Sequence, residues 1–312
     1  MSETIPVWMD VDTGTDDAVA LLSLHALKGT EIIGLSTVCG NSGPENSYRN
    51  TRCINTICKS SYPVYRGADK PLLREPFHAA EVHGKNGLGD VKVELPEEET
   101  VYTLPAWDAL NEAAEKYSGK LRLIATAPLS NLAIAFSKYP SLAKHLHSIL
   151  IMGGATREGN VTPCAEFNIY ADPEGADIVF RAGVPIYLFP LDVTERVCLT
   201  REDLKELAAK GNRAGKFVHD ILQVPMSFHS ALHHPGVQMH DCCPVLFLDS
   251  PELFDMEEAG VAVETKGKIT CGKTVTDLYS DKQFEFKNAM VAVDVDEKAF
   301  IEKLKGLIES IG

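Results

Sequence analysis

The sequence predicts an α/β fold, a single Rossmann-like domain in which an open, mostly parallel central sheet is flanked by helices. Short runs of β-branched and apolar residues alternate along the chain with amphipathic stretches of helical period. The 312 residues are 45% apolar, 24% charged and 7% aromatic, which are ordinary values for a globular protein with a large core. The sequence contains no internal repeat and no obvious linker, so we expect residues 1–312 to form one domain.

The β/α alternation begins at once. The apolar run over 5–9 is typical of a strand buried on both faces of a parallel sheet. The pattern then predicts a helix over 16–28, a strand over 31–38, a helix over 45–59 and a short strand over 64–65. Over 67–105 it lapses into glycine, proline and charged residues, with an acidic run over 97–99. A loop of this length in a compact domain is usually functional or mobile.

The alternation returns in the second half of the chain. It predicts helices over 106–117, 129–138 and 173–182, and strands over 121–125, 149–152 and 185–191. Helical period dominates 201–232. Strands are predicted over 259–264 and 289–295, and an amphipathic helix over 297–311 closes the chain.

Charge and composition exclude several classes of protein. Forty-four acidic against 30 basic residues give a net charge of −14, which argues against a nucleic-acid partner. No apolar run approaches the roughly 18 to 20 residues of a membrane helix, so we expect no membrane association. Residues 1–4 lack the basic and apolar regions of a secretory signal. The sequence therefore predicts a cytoplasmic protein with eight reduced cysteines.

Four carboxylates lie within eight residues, directly after the first predicted strand: Asp10, Asp12, Asp16 and Asp17. Open α/β sheets bind their ligands at this end of a strand. Carboxylates this close repel one another unless a cation or hydrogen-bond donors compensate them, and hard oxygen ligands suit Ca²⁺ or Mg²⁺. One or two aspartates would be ordinary helix caps, whereas four predict a cation site, with Gly14 permitting the tight turn into the helix.

An Asp-x-Asp motif directly after a strand is also typical of haloacid-dehalogenase-type phosphotransferases. In those enzymes the first aspartate, here Asp10, is a nucleophile and Mg²⁺ is the cofactor. Gly14 stands where that pattern usually has threonine or valine, and the adjacent pair of aspartates comes too soon. A Mg²⁺-dependent phosphohydrolase is therefore the alternative hypothesis. An EF-hand loop fits less well, because its glycine is misplaced and its last glutamate is missing.

The run from Asp10 to Asp17 resembles the N-terminal signature Asp-x-Asp-x-Gly-x-Asp-Asp of the nucleoside hydrolases of the inosine-uridine preferring type. Further blocks of that family follow in order over nearly the whole chain: Val38-Cys39-Gly40-Asn41, His83-Gly84-Lys85-Asn86-Gly87-Leu88-Gly89, Ala125-Thr126-Ala127-Pro128-Leu129-Ser130-Asn131, Met152-Gly153-Gly154, Glu158-Gly159-Asn160, Ala165-Glu166-Phe167-Asn168, Leu191-Asp192-Val193-Thr194 and His240-Asp241. The resemblance implies hydrolysis of the N-glycosidic bond of ribonucleosides, with pyrimidines slightly favoured, for nucleoside salvage. It also leads us to expect a homodimer or homotetramer.

The resemblance further implies a Ca²⁺ site. One ion per subunit would be bound by Asp12, Asp17, the backbone carbonyl of Thr126 and Asp241, and would also hold the ribose 2′ and 3′ hydroxyls and a water. Carboxylates and a carbonyl are the hard ligands that this ion prefers. Asp12 would be the base that takes the proton of the water.

The substrate-binding positions of the family correspond to Asp16, Asn41, Met152, Asn160, Glu166, Phe167 and Asn168. A sugar with several hydroxyls needs such convergent amide and carboxylate groups. Residues 166–168 are expected to be extended, with Glu166 and Asn168 on the same side. Met152 would pack under the sugar.

The departing base must gain a proton or be stabilised as an anion, and a histidine suits that task. By resemblance His240, next to Asp241, is the first candidate, and His83 in the long loop is the second. A protein that only binds a nucleoside or Ca²⁺, the third hypothesis, would need neither Asp12 nor His240.

Two departures from the family leave the preferred base open. Glu195 follows Thr194, where relatives often have histidine. Relatives often place a tyrosine and a glutamine facing the base in the segment 223–234, which here offers instead Phe228, His229, His233 and His234. We expect the last two histidines to lie in a flexible polar loop.

Overall fold

The structure is a computed structural model that describes residues 4–95, 100–278 and 284–312. Its strands are β1 (Ile5–Val11), β2 (Thr30–Thr37), β3 (Val64–Arg66), β4 (Leu121–Ala125), β5 (Leu146–Met152), β6 (Ile186–Phe189), β7 (Cys198–Leu199), β8 (Val237–Gln238), β9 (Phe254–Val263), β10 (Thr274–Asp277) and β11 (Ala289–Val295). Its helices are α1 (Thr15–Ala26), α2 (Pro44–Cys58), α3 (Ala80–His83), α4 (Ala106–Lys116), α5 (Ser130–Lys138), α6 (Phe167–Ala171), α7 (Pro173–Phe180), α8 (Leu191–Thr194), α9 (Arg201–Ala209), α10 (Arg213–Ile221), α11 (Gln223–Ala231), α12 (Cys242–Phe247) and α13 (Glu297–Ser310).

The described residues form one nine-stranded sheet in the order β10-β9-β11-β6-β5-β4-β1-β2-β3. Strand pairs are parallel from β11 to β3, and β9 runs antiparallel to both β11 and β10. β7 and β8 form a separate antiparallel pair. The predicted fold class, a mostly parallel central sheet with flanking helices, is thus confirmed.

Side chains alternate across β1, so this strand contributes to both faces of the sheet. Val7, Met9 and Val11 pack into one hydrophobic core, with α1, α2, α9, α10, α12 and α13. Trp8 packs into the other core, with α4, α5 and α7. Helices therefore cover both faces, as a parallel sheet requires.

The strand order places β2 and β4 on opposite sides of β1. The chain path reverses at this point, and such a reversal opens a crevice at the carboxyl ends of the strands. The segments that follow β1, β2, β4, β5 and β6 all lead away from this same edge of the sheet. The motifs named above for metal or sugar binding lie at these strand ends or in the segments that follow them, except His240-Asp241, which follows β8.

Several elements differ from the prediction. The helical stretch over 201–232 is three helices, because Gly211 takes a left-handed φ of +77° that ends α9. β9 begins at Phe254, before the predicted 259, and pairs with β10, which was not predicted. β7, β8, α6, α8 and α12 were also missed, because elements of two to six residues are too short to show a period.

The long loop over 67–105 contains the short helix α3. The acidic run over 97–99 lies outside the described residues. So do residues 1–3, which belong to the segment expected to lack a secretory signal. The eight cysteines are free thiols. In the described ranges, no helix combines the length and the apolar character needed to cross a membrane.

Candidate active site

A cavity of about 360 Å³ opens at the carboxyl edge of the sheet, within the size range of small-molecule sites. All but two of the site residues named above line this cavity. The lining residues are Asp16, Asn41, His83, Thr126, Met152, Asn160, Glu166, Phe167, Asn168, His240 and Asp241. The two others, Asp12 and Asp17, are fully buried behind the wall, where they contact Asn41 and Thr126. The fold thus gathers all of them around one space.

The turn between β1 and α1 holds the aspartates in place. The backbone N–H of Gly14 donates to Oδ2 of Asp17 at 2.9 Å, and the helix dipole favours negative charge in this first turn. Gly14 has an ordinary φ of −89°, so a tight turn is not the reason for the glycine. A Cβ at this position would lie 2.7 Å from Nδ1 of His83 and 2.8 Å from Nδ2 of Asn41. Glycine is required because these two side chains approach the backbone closely.

Asn41 and Thr126 supply hydrogen bonds to the two buried aspartates. The backbone N–H of Asn41 donates to Oδ2 of Asp12 at 2.6 Å, and its side-chain Nδ2 donates to Asp17 at 3.2 Å. Thr126 Oγ1 donates to Oδ1 of Asp17 at 2.8 Å. Oδ1 of Asp12 has no hydrogen-bond partner within the described residues. One oxygen of Asp12 thus remains free for a ligand.

Carboxylate oxygens of Asp16, Asp17 and Asp241 lie within 4.8 Å of one another. Burial raises the pKa of Asp16 and of Asp17 to about 6, and it raises the pKa of Asp12 and of Asp241 well above the ordinary value, with neighbouring carboxylates adding to the effect. A divalent cation with oxygen ligands would compensate these charges. The buried aspartate cluster therefore fits a metal site.

This group of three differs from the ligand set that the resemblance implies, which has Asp12 and the carbonyl of Thr126 but not Asp16. Asp16 lies within 4.8 Å of Asp241, and its interaction with that carboxyl group opposes the effect of burial on its pKa. Asp12 lies close enough for the charges of Asp16 and Asp17 to raise its pKa. The ligand set remains a prediction.

Glu166 begins helix α6 and is its N-cap. Its Oε1 accepts from the N–H of Asn168 at 2.8 Å, and its Oε2 accepts from the N–H of Ile169 at 3.2 Å and of Gly154 at 2.8 Å. The expectation that 166–168 is extended was therefore wrong, because a carboxylate at the N-cap satisfies helical N–H groups. Burial raises the pKa of Glu166 to about 7, against the opposing effect of these donors.

Two asparagines have one amide atom fixed and the other free. Asn160 Oδ1 accepts from the N–H of Phe167 at 3.0 Å. Asn168 Nδ2 donates to the carbonyls of Thr126 at 3.1 Å and of Met152 at 3.2 Å. Nδ2 of Asn160 and Oδ1 of Asn168 have no partner among the described residues, so each amide can offer its free atom to a ligand.

Four histidines also line the cavity: His83, His229, His234 and His240. Burial lowers the pKa of His83 and of His229 to about 4 and that of His240 to about 3. His83 Nδ1 accepts from the N–H of Thr15 at 3.2 Å, and His240 Nδ1 lies 2.8 Å from Oγ1 of Thr194. These three imidazoles are therefore neutral near pH 7, and each neutral ring carries one N–H donor.

The profile of the inosine-uridine preferring nucleoside hydrolases matches residues 7–302 of the chain. The chain belongs to this family. It is accordingly an enzyme, a nucleoside N-glycosidase.

Individual nucleoside hydrolases are similar to the chain over almost its whole length. It is 38% identical over 310 residues to the pyrimidine-specific ribonucleoside hydrolase RihA of Escherichia coli O9:H4 (strain HS), covering 96% of this chain and 97% of that one. The purine-preferring ribonucleoside hydrolase from Gardnerella vaginalis has 30% identity and a TM-score of 0.91, covering 98% of both chains. The plant nucleoside hydrolase PpNRh1 has 29% identity and a TM-score of 0.92, covering 98% of this chain and 99% of that one.

Around the four histidines, this nucleoside hydrolase has a wall that the sequence alone did not place. Further lining residues there are Glu195, Pro225, Phe228, Leu232, Val237 and Gln238. His229 lies on α11, within the stretch predicted to be helical, and His233 takes a φ of +63° in the turn after that helix.

Asp10, the nucleophile of the alternative hypothesis, is fully buried and is not part of the cavity wall. Its Oδ1 accepts hydrogen bonds from Ser36 and, at 2.8 Å, from Asn131. The match to the nucleoside hydrolase family does not favour the phosphohydrolase hypothesis, in which this residue would be the nucleophile. Asp10 instead joins the ends of β1 and β2 to the start of α5.

Asp10 should make the stability of the protein depend on pH. Burial raises its pKa from 3.8 to about 7, so the folded state binds this proton more tightly than the unfolded state does. The resulting stabilisation is present below about pH 4 and is lost as the pH rises through about 7. Asp10→Asn should therefore show a smaller fall in Tm over this range than the parent, measured by calorimetry in chelator. The exposed control Asp255→Asn should keep the parental slope, and an unchanged slope in Asp10→Asn would contradict the assignment.

Proposed function

We propose that the enzyme hydrolyses ribonucleosides to ribose and free base in a Ca²⁺-dependent reaction, with pyrimidine nucleosides favoured. The observation that carries the proposal is the convergence in one cavity of buried carboxylates, asparagine amides and neutral histidines. Buried carboxylates suit a cation, asparagine amides suit the hydroxyls of a sugar, and neutral histidines suit a departing base. Release of reducing sugar from nucleosides is the direct assay.

The proposed ligands of Ca²⁺ are Asp12, Asp17, the carbonyl of Thr126 and Asp241. All are hard oxygen donors, and buried oxygens of Asp12 and Asp16 lack hydrogen-bond partners in the described residues. When bound, the ion supplies positive charge that compensates the carboxylates and acidifies a water molecule.

Asp12 is the proposed general base. Its Oδ2 is fixed by the N–H of Asn41, so the carboxylate cannot rotate freely. Its Oδ1 is the oxygen without a partner and is free to take a proton from the attacking water. Gly40 packs directly against this side chain, since a Cβ at that position would lie 1.9 Å from Oδ2.

The ribose is proposed to bind between Asp16, Asn41, Asn160, Glu166 and Asn168. The free amide atoms of the asparagines can donate to and accept from hydroxyls, as sugar recognition requires. Backbone N–H groups hold Glu166, and Phe167 holds Asn160, so these groups are oriented before the sugar arrives. Met152, which is 3% exposed, supplies an apolar surface beside them.

His240 is the proposed donor to the leaving base, and His83 is the second candidate. As the glycosidic bond breaks, negative charge grows on the base, and an imidazole N–H can stabilise it. His240 precedes Asp241, so it stands at the boundary between the carboxylates and the wall around the four histidines. His83 Nδ1 is already engaged by Thr15 and lies 3.8 Å from Asp16.

The pyrimidine preference is supported by the relatives. The chain is 38% identical to a pyrimidine-specific ribonucleoside hydrolase and 30% identical to a purine-preferring one. Phe228, Pro225 and Leu232 supply an apolar surface for a planar base, beside the polar groups of the histidines.

Removal of the metal should abolish turnover and lower Tm, because ligand binding stabilises the folded state and the carboxylates repel one another without it. Added Ca²⁺ should restore both, and elemental analysis should give one Ca²⁺ per chain. Asp12→Asn should lower kcat by about 10²- to 10⁴-fold, as expected for loss of a general base. Asp255→Asn is the control. Full activity after exhaustive chelation, with no metal detected, would show that the Ca²⁺ assignment is wrong.

His240→Ala should lower kcat for uridine by about 10²- to 10⁴-fold with KM nearly unchanged, because the donor acts mainly in the transition state. It should hydrolyse p-nitrophenyl riboside, whose leaving group departs unaided, almost as fast as the parent does. Asn168→Ala should slow both substrates equally, since its proposed partner is the ribose. The surface control His219→Ala should behave as the parent. Equal slowing of both substrates by His240→Ala would transfer the donor role to His83.

Among uridine, cytidine, inosine and adenosine, the two pyrimidine nucleosides should give the higher kcat/KM. All four share one ribose, so differences must arise from the base and its contacts. Initial rates of reducing-sugar release under identical Ca²⁺ concentrations measure the ratio. A higher kcat/KM for inosine or adenosine would overturn the preference but not the hydrolase activity.

A further inference from the structure

Helix α8 connects two sides of the site, and the proposed chemistry does not account for its polar residues. Asp192 accepts hydrogen bonds from N and Oγ1 of Thr156, both at 2.7 Å, and so holds the loop that leads to Asn160. Two residues later, Thr194 is fully buried, with its Oγ1 2.8 Å from Nδ1 of His240. One turn of helix therefore fixes a loop on the sugar side and a histidine on the base side.

The contact between Thr194 and His240 determines what the imidazole can offer to a ligand. In a neutral imidazole one nitrogen carries the proton and the other accepts, and the partner of one nitrogen decides the role of the other. The Thr194 hydroxyl has no other hydrogen-bond partner in the described part of the chain, so its proton is available to Nδ1. Donation to Nδ1 would place the imidazole proton on Nε2.

Nε2 is also the nitrogen left to meet a substrate. His240 lines the cavity, and its Nε2 has no hydrogen-bond partner among the described residues. A donor at this nitrogen would stabilise negative charge on a departing base, whereas a lone pair would repel it. The orientation of one buried hydroxyl thus decides whether Nε2 presents an N–H donor or a lone pair to the departing base.

We propose that Thr194 is a positioning residue whose hydroxyl donates to Nδ1 of His240 and thereby presents Nε2–H to the leaving base. This inference rests on the proposed role of His240. Thr194 does not touch the substrate. It holds the ring in one orientation and one tautomer, and the hydrogen bond from Nε2 strengthens as charge develops on the base.

The first test is spectroscopic and uses the unaltered Ca²⁺-loaded enzyme. Long-range ¹H–¹⁵N correlation spectra distinguish protonated from unprotonated imidazole nitrogens, and the His240 signal is assigned by its loss in His240→Ala. We expect an unprotonated Nδ1 and a protonated Nε2 near neutral pH. A proton on Nδ1 would overturn the proposal.

The second test removes the hydroxyl. Thr194→Val should lower kcat for uridine by about 10- to 100-fold, the usual effect of losing a residue that orients a functional histidine, with little change in KM. The rate for p-nitrophenyl riboside should stay within about twofold, because that leaving group needs no donor. Thr194→Ser, which keeps the hydroxyl, should restore most of the uridine rate. In His240→Ala the further change Thr194→Val should have no effect on kcat.

Ser118→Ala is the matched control, because Ser118 Oγ lies 2.9 Å from Nδ1 of His145 on the surface, outside the cavity. It should leave both rates unchanged. Equal slowing of both substrates by Thr194→Val, or no slowing of either, would overturn the proposal. If Thr194→Val does not fold, Thr194→Ala and the spectrum of the parent replace it as the test. A loss of rate for uridine alone in Thr194→Ala supports the proposal, and an equal loss for both substrates overturns it. Equal slowing by His240→Ala alone would instead refute the proposed function of His240.

Discussion

The site is organised by the burial of several carboxylates at the end of one strand. Asp10, Asp12 and Asp17 are fully buried, and each would be costly in an apolar interior without compensation. The protein compensates each differently: Asp10 by Ser36 and Asn131, and Asp17 by backbone and threonine donors. Asp10 and Asp12 each keep one oxygen without a donor among the described residues. Position separates the three: Asp10 joins two strands to α5, whereas Asp12 and Asp17 contact Asn41 and Thr126 of the cavity wall.

This requirement explains why the neighbouring segments have the residues that they have. Asn41 after β2 and Thr126 after β4 both direct donors at the aspartates that follow β1, and the parallel sheet is what brings these three chain segments together. Gly14 and Gly40 lack side chains because Asp12, Asn41 and His83 occupy the space. The close packing around the carboxylates is therefore a property of the sheet edge as a whole.

The part of the site that belongs to the strand ends was predictable from the sequence. Alternation of strand and helix places the aspartate run, Asn41 and Thr126 at one edge, since parallel strands all end there. Glu166 was assigned to the sugar, but its conformation was predicted wrongly, because a helix of five residues leaves no periodic pattern. The wall around the four histidines could not be placed, since α11, β8 and the loop before α3 meet only through long-range packing. No local pattern in 223–240 indicates that His229 and Gln238 reach the cavity with His83.

The two halves of the site therefore depend on different kinds of structure. The half that holds carboxylates and asparagines is built on strand ends and helix caps within the large sheet, where a shift of one residue would leave buried charges unpaired. The half near the base is built on short elements outside the nine-stranded sheet, where Phe228 and Leu232 can change without exposing a buried charge. Helix α8 links the halves, because Asp192 holds the loop before Asn160 while Thr194 contacts His240. Under the proposed function, such an arrangement would allow the residues near the base to change without disturbing the groups assigned to the sugar and the cation.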